Sequence, residues 1–377
     1  MKLAICGYPP MAFQVINALQ NTAYKCKYFI RDLMTSYSEE NFKFPQDPPI
    51  KLIKFFQFRR LIDEGKLDGL LIADFSQEVF LKVVRMCKLY NIPNVGIVDF
   101  SFISNVREIC FLNNEKAFMP QLETNLIDSC NLNCKACTHY SNLFTDSDIY
   151  PLENYARDLR QISNNFDILI FYILGGEPFK QKNLDEYLKI TRHFLPNTNL
   201  HLVTNGLLVP KVSQKILDSL RENNFKIEVS MYPPTVKMID RIVKVFEENH
   251  IPCNVRGEVH FFNSFLTLHG GHNPERSRAI CVNDNCRFLR NGKIYKCPVD
   301  ALSYKLVEHF GLKGFPKATG VDIFAKNVAS QIEQLYGNIE LCTWCSETCR
   351  VIQWTPENNP QITDWLANPE EAATLQN

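Results

Sequence analysis

Residues 116–259 alternate nearly apolar runs with helix-period stretches, and no other feature restricts the fold as tightly. "QLETNLIDS" (121–129), "DILIFYIL" (167–174), "NLHLVTNG" (199–206), "FKIEVSMYPP" (225–234) and "PCNVRGEV" (252–259) read as strands. Between them, the stretches near 151–165, 181–195, 211–223 and 235–249 read as helices. Strands this apolar are buried on both faces, so the segment predicts an α/β fold with a parallel sheet covered by helices. It is either an open sheet or a full or partial (β/α) barrel. In such folds functional groups collect where strands end. Here the strand ends carry Cys130, Cys134 and Cys137, then Gly175-Gly176-Glu177, then Thr204-Asn205-Gly206, then Ser230. Packing alone does not call for thiols and polar groups at all four.

The first of these ends, "CNLNCKACTH" (130–139), holds three of 14 cysteines and no fourth. A tetrahedral zinc site wants four ligands, a disulfide wants pairs and a redox dithiol wants two. Lys+Arg and Asp+Glu balance at 41 each, so no global field recruits nucleic acid or an acidic membrane. No segment reaches the roughly 18 apolar residues of a membrane span, and the start lacks a signal peptide's long apolar core. A cytoplasmic protein with reduced thiols is expected, with 14 cysteines pointing to metal or cluster ligation.

Residues 1–112 read as a doubly wound, Rossmann-like domain. Apolar runs at 2–8, 25–30, 68–74 and 94–100 alternate with helical patterns at 11–20 and 77–90, and "PQDPP" (45–49) is its clearest break. The first strand ends in "GYPP" rather than G-x-G-x-x-G, so a dinucleotide cradle has no support. No His precedes His139, which leaves no lower imidazole ligand for a corrinoid. Asp74 and Asp99 end strands where a small molecule would bind, or are solvated turn residues; a docking or structural role is favoured.

The C-x3-C-x2-C loop after one strand and G-G-E-P after the next together resemble the radical S-adenosylmethionine (SAM) superfamily. The resemblance covers about 120–350 and implies a partial (β/α) barrel over 116–275. It also implies that Cys130, Cys134 and Cys137 hold three irons of a [4Fe–4S] cluster, leaving the fourth iron for the amino and carboxylate groups of SAM. Gly175, Gly176, Glu177 and Pro178 would meet the SAM ammonium, and Thr204, Asn205, Gly206 and Ser230 the ribose and carboxylate. The family usually has an aromatic just before the third cysteine, against the adenine. This chain has Ala136 there, so His139 and Tyr140 become candidates for that contact and for chemistry, with an ordinary loop role for His139 as the alternative.

Residues 276–377 carry Cys281, Cys286, Cys297, Cys342, Cys345 and Cys349. "CRFLRNGKIYKCP" reads as a hairpin turning at Gly292, and "CTWCSETC" adds C-x2-C-x3-C. Together they look like the twitch or SPASM extensions of radical SAM enzymes, a small cysteine-rich domain holding at least one auxiliary [4Fe–4S] cluster. Cys286, Cys297, Cys342 and Cys345 form the preferred set, with Cys281 and Cys349 as alternates. Arg287, Arg290, Lys293 and Lys296 would offset the cluster's charge, or form a solvated basic hairpin. A zinc ribbon is the competing reading of these thiols. Cys6, Cys26, Cys87, Cys110 and Cys253 read as buried core thiols.

The resemblance implies one-electron cleavage of SAM to a 5′-deoxyadenosyl radical that abstracts hydrogen from a substrate. Dehydrogenation, epimerisation or a related rearrangement would follow. An α/β N-terminal domain, rather than a leader-peptide module, tilts the substrate toward a sugar or nucleotide-sugar. A ribosomal-peptide maturase is the runner-up, and a non-catalytic zinc-stabilised binding protein the rival from another class. A one-electron donor such as flavodoxin or ferredoxin would be needed; no nucleic acid or membrane partner is expected. "HFFNSFLTLHGGHNPERSR" (260–278) reads as a lid or linker, with His269 and His272 as further catalytic candidates.

Overall fold

A computed structural model describes residues 1–20, 22–33, 50–74, 76–98, 109–113 and 115–376. Asp99 and the Pro-rich loop 45–49 lie outside the described residues. Two compact units emerge, one of residues 1–120 with 165–169, the other of residues 121–164 with 170–377.

The first unit is built on β1 (Lys2–Gly7), β2 (Lys25–Ile30), β3 (Lys51–Ile53), β4 (Gly69–Ala73), β5 (Val95–Val98) and β6 (Ile109–Phe111). Their order in the sheet is β3-β2-β1-β4-β5-β6. Pairing is parallel except for β6, which runs antiparallel to β5. The helices are α1 (Pro9–Leu19), α2 (Phe55–Asp63) and α3 (Gln77–Leu89). Pro9 and Pro10 occupy the first turn of α1, where a missing N–H costs nothing. Ser76 caps α3, its Oγ accepting from Val79 N. The direction of winding reverses between β1 and β4, as in doubly wound sheets. Two short strands, β3 and β6, were not expected from the sequence; at three residues each they are too short to show a period.

The second unit carries an eight-stranded sheet. Its parallel part is β8 (Phe166–Leu174), β9 (Asn199–Thr204), β10 (Phe225–Met231) and β11 (Cys253–Glu258), with β7 (Ala117–Asn125) beside β8. Crossovers run through α4 (Leu152–Asn165), α5 (Leu184–Phe194), α6 (Gln214–Glu222), α7 (Pro233–Val236) and α8 (Ile239–Glu248). The helices are amphipathic, and β8, nearly all apolar, lies deep within the sheet. Parallel strands joined by helical crossovers match the open sheet or partial (β/α) barrel expected from the sequence.

The expected lid or linker at 260–278 is part strand and part helix. β12 (Phe261–Leu266) is followed by α9 (Pro274–Ala279), then β13 (Phe288–Arg290), β14 (Lys293–Tyr295), α10 (Pro298–Phe310), β15 (Val321–Asp322), α11 (Val328–Gln334) and β16 (Cys345–Gln353). β12 pairs antiparallel with β16. The β13–β14 hairpin turns at Asn291-Gly292, both at positive φ, as an Asn-Gly turn requires. It also joins the core sheet, since Phe288 pairs with Glu123 of β7. Through β13, β14 and β15, residues of the 276–377 segment join the sheet of β7–β11. Among the described residues no helix is long and apolar enough to cross a membrane.

Candidate functional site

The loop after β7 turns sharply because Asn133, Ala136 and Tyr140 all take left-handed backbone angles, at φ 47°, 60° and 52°. Such angles are uncommon away from glycine and persist only where surroundings impose them. They bring Cys130, Cys134 and Cys137 to one cavity of about 220 Å³. Its wall includes Thr138, His139, Ser141, Leu174, Gly175, Gly176, Val203, Thr204, Asn205, Ser230, Tyr232, Arg256 and Phe262. Burial pushes the Cys130 thiol up to about 12, and that of Cys134 higher still, with the neighbouring cysteine charges adding to both. Three thiolates held this close disfavour one another unless a cation binds them, so the donor set fits a metal group.

Two indole N–H groups hold this loop from the far end of the chain. Trp354 Nε1 lies 3.1 Å from Cys134 Sγ, and Trp365 Nε1 donates to Cys137 O at 2.8 Å. Lys135 N also donates to Thr355 O, at 2.9 Å. Neither tryptophan was singled out in the sequence, because nothing local marks a partner more than 200 positions away.

At the next strand end, the glycines serve the backbone. A Cβ on Gly176 would stand 2.0 Å from Ser129 O, and one on Gly175 would stand 2.5 Å from Ile127 O. Gly176 N and Glu177 N donate to Ile127 O and Ser129 O, so "GGE" stitches the end of β8 to the segment entering the cysteine loop. Glu177, expected to meet the SAM ammonium, makes its contacts within the protein. The side chain is fully buried and does not line the cavity. Oε1 accepts from Thr204 Oγ1 at 2.8 Å and Phe179 N at 3.2 Å, and Oε2 from Asn205 N at 2.9 Å. Its work is to hold the end of β9. Pro178, opening a short 3-10 turn, and Gly206, packed against Ile242, also stay behind the cavity wall. Asn205 reaches the thiols directly, its Nδ2 3.6 Å from Cys130 Sγ. Glu177→Gln puts an amide donor among three donors and leaves at least one buried group unpaired. A loss of about 1–3 kcal/mol in stability is expected, read as a lower urea midpoint.

His139 lines the cavity, whereas Tyr140 does not. Asn125 gives Nδ2 to Asp128 Oδ1 at 2.9 Å, so its Oδ1, 3.2 Å from His139 Nδ1, accepts; the proton then sits on Nδ1. Burial lowers His139 to about 4, which keeps the ring neutral. Asp128 in turn meets Arg290 at 2.5 Å, and Arg290 also donates to Asn125 O. Arg290, expected near the C-terminal thiols, is thus buried in the network behind His139.

Below the cavity the barrel wall is polar. Arg256 and Asn254 of β11 donate to Glu228 Oε2 of β10, and Glu228 Oε1 lies 3.1 Å from His201 Nδ1 of β9. The ring of Tyr172 of β8 packs on His201 and under Arg256. These residues went unnoticed in strands read as apolar. The available signal was their position at every second residue, on one face with Leu174, Val203 and Ser230.

A second, smaller cavity of about 50 Å³ is lined by Ala136, Tyr140, Cys281, Cys297, Cys345 and Trp365, among others. Cys281, Cys297 and Cys342 each lie within electrostatic reach of Cys345, and Cys281 also of Cys297 and Cys342. Cys297 caps α10, its sulfur accepting from Asp300 N at 3.5 Å, while burial pushes its thiol up. Lys296 and Arg278, bridged by Asp284, stand beside Cys281. Of the preferred set, Cys297 and Cys345 line this cavity, as does the alternate Cys281, and Cys342 and Cys286 do not. Cys286 is hydrogen-bonded to the buried carboxylate of Glu123 and lies within electrostatic reach of Cys297. Cys349 is exposed on β16. Arg287 is buried under the Tyr336 ring near Cys286 and Cys297, and Lys293 is exposed. Ala136 lines this second cavity.

His269 and His272 line neither cavity. Their rings stack at 5.4 Å, with His272 N bonded to Thr343 O and Gly270 against the Trp344 indole. They cover the segment leading to Cys345.

Residues 124–254 match the family described as Radical SAM superfamily. GTP 3′,8-cyclase of Helicobacter pylori is 25% identical over 138 residues, 36% of this chain and 41% of that protein. The enzyme of the same name from Syntrophomonas wolfei is 30% identical over 134 residues, 34% of this chain and 40% of that protein. The chain thus spans about two fifths of the length of these curated relatives. Among solved structures, BtrN in complex with AdoMet and 2-DOIA aligns with a TM-score of 0.37 at 16% identity, over 62% of this chain and 96% of that one.

Proposed function

We propose that this chain, a member of the radical SAM superfamily through residues 124–254, is an enzyme that cleaves S-adenosylmethionine reductively to activate a sugar, nucleotide-sugar or similar hydroxyl-rich metabolite. The observation that carries the reading is the meeting of three strand-end thiols with a 220 Å³ cavity above a polar barrel wall. Cys130, Cys134 and Cys137 would hold three irons of a [4Fe–4S] cluster, with the fourth left for SAM. Bound together, cluster and SAM supply one-electron cleavage to methionine and a 5′-deoxyadenosyl radical. Gly175, Gly176, Thr204, Asn205 and Ser230 would line the SAM position, with their backbone and short side chains as its hydrogen-bonding wall. Neutral His139 is suited to a hydrogen bond or a ring contact rather than to a charge. Tyr232, stacked on Phe262 and beside Trp354, excludes water from the thiols.

The substrate class is supported by Arg256, which is held by Glu228 and lines the cavity with Thr204, Asn205 and Ser230, a polar wall suited to a hydroxyl-rich ligand. The relatives are cyclases of GTP by name, in keeping with a nucleotide-bearing substrate. We assign an auxiliary [4Fe–4S] cluster to Cys281, Cys297, Cys342 and Cys345. A flavodoxin or ferredoxin would supply the electron, in a cytoplasm that keeps thiols reduced.

The test is anaerobic reconstitution with iron and sulfide, then addition of dithionite and SAM. About eight irons per chain and formation of 5′-deoxyadenosine are expected, faster when the correct sugar or nucleotide-sugar is present. A colourless protein with stoichiometric zinc and no 5′-deoxyadenosine overturns the reading.

A further inference from the structure

The two cavities share a wall, residues 136–140, and the side chain of Tyr140 sits on the C-terminal side of it. Cys137 and His139 line the first cavity, Ala136 and Tyr140 the second, and Thr138 both. Tyr140 is fully buried at a left-handed backbone angle, φ 52°. Its ring packs against Trp365, 5.6 Å between centroids. Its Oη has no hydrogen-bond partner in the protein. The charges that bear on that oxygen come from Cys345, Cys297 and Cys137, so it looks into the cysteine-lined space.

A buried phenol without a partner costs about 1–3 kcal/mol, and phenylalanine would pack the same space without that cost. Of the other hydroxyls at this cavity, Ser264 Oγ donates to Asp364 O, and Ser277 Oγ lies 3.0 Å from Asn273 O and 2.5 Å from Cys345 O. Thr138, Asn263 and Asn283 are the other polar residues of the lining, and among the described residues that form it Tyr140 Oη is the one buried side-chain polar atom without a partner. Tyr140 is therefore built to donate into whatever the thiols hold.

We propose that Tyr140 Oη donates a hydrogen bond to a sulfur of the auxiliary cluster held by Cys281, Cys297, Cys342 and Cys345, and thereby sets that cluster's reduction potential. The inference rests on the assignment of that cluster made above. Hydrogen bonds to cluster sulfurs stabilise the reduced, more negative state and raise the potential. Tyr140 is thus a positioning residue for electron transfer, not one that touches substrate.

The experiment uses the full-length chain with Cys130, Cys134 and Cys137 all changed to Ala, so that only the auxiliary cluster remains. Iron content is measured first, then the potential by EPR-monitored titration, with and without Tyr140→Phe. At a fixed ambient potential, Tyr140→Phe is expected to lower the reduced-to-oxidised ratio about tenfold, equivalent to 59 mV for one electron. In the metal-free protein the same change relieves an unpaired phenol, so its urea midpoint holds or rises. A purely structural tyrosine would lower that midpoint and leave the potential unmoved. Iron present with an unmoved potential, as when only water occupies the phenol, overturns this proposal alone. Iron absent from the triple variant overturns the auxiliary-cluster assignment and this proposal with it.

Discussion

Cys134→Ala is expected to abolish 5′-deoxyadenosine formation and to remove about four of about eight irons. Cys134 is the most enclosed of the three thiols in the first loop, buried beneath Tyr232 and Trp354, and its sulfur is 3.1 Å from the Trp354 indole. Alanine leaves two thiols where three are needed, and water cannot readily enter to replace the missing one. The remaining irons stay, because the second cysteine group draws no ligand from this loop. Iron and sulfide assays beside chromatography of the SAM products check both parts. Retained cleavage would remove Cys134 from the ligand set.

Cys281→Ala and Cys286→Ala are expected to part company. Both thiols precede the same hairpin, five positions apart, and in the sequence Cys286 looked the better ligand because it faces Cys297 across the strand pair. In the fold its neighbour is the Glu123 carboxylate, which burial pushes up and which the Cys286 hydrogen bond partly steadies. Cys286→Ala should keep about eight irons and cost about 1 kcal/mol for the lost hydrogen bond. Cys281→Ala should keep about four, with the first cluster still cleaving SAM. Iron per chain, measured beside a denaturation curve, separates the two. Equal iron in both variants would return Cys286 to the ligand set.

The barrel was legible because its strands are apolar and evenly spaced; α4, α5 and α6 lie within a few residues of where their patterns put them. The thiols of the first loop were legible because they are local in sequence. What escaped was side-chain direction. Glu177 stands beside two glycines at a strand end, as a ligand-binding carboxylate would, but its orientation depends on Thr204 and Asn205 some 27 positions on. His201 and Glu228 were hidden for the same reason, since one polar residue in an apolar strand reveals no partner until strand register is known. Ala136 looked like a missing aromatic for the first cavity, yet its left-handed backbone turns it toward the second.

The grip of Trp354 on Cys134 and of Trp365 on Cys137 also has a bearing on the order of biosynthesis. These partners are separated by 220 and 228 positions. At about 5–20 residues per second, a ribosome needs roughly ten to forty-five seconds to make the intervening chain. Throughout that interval the thiol loop exists without its two indoles and without the neighbour at Thr355. The closed loop therefore waits on residues 354–365, and until they are made the three thiols stand without either indole.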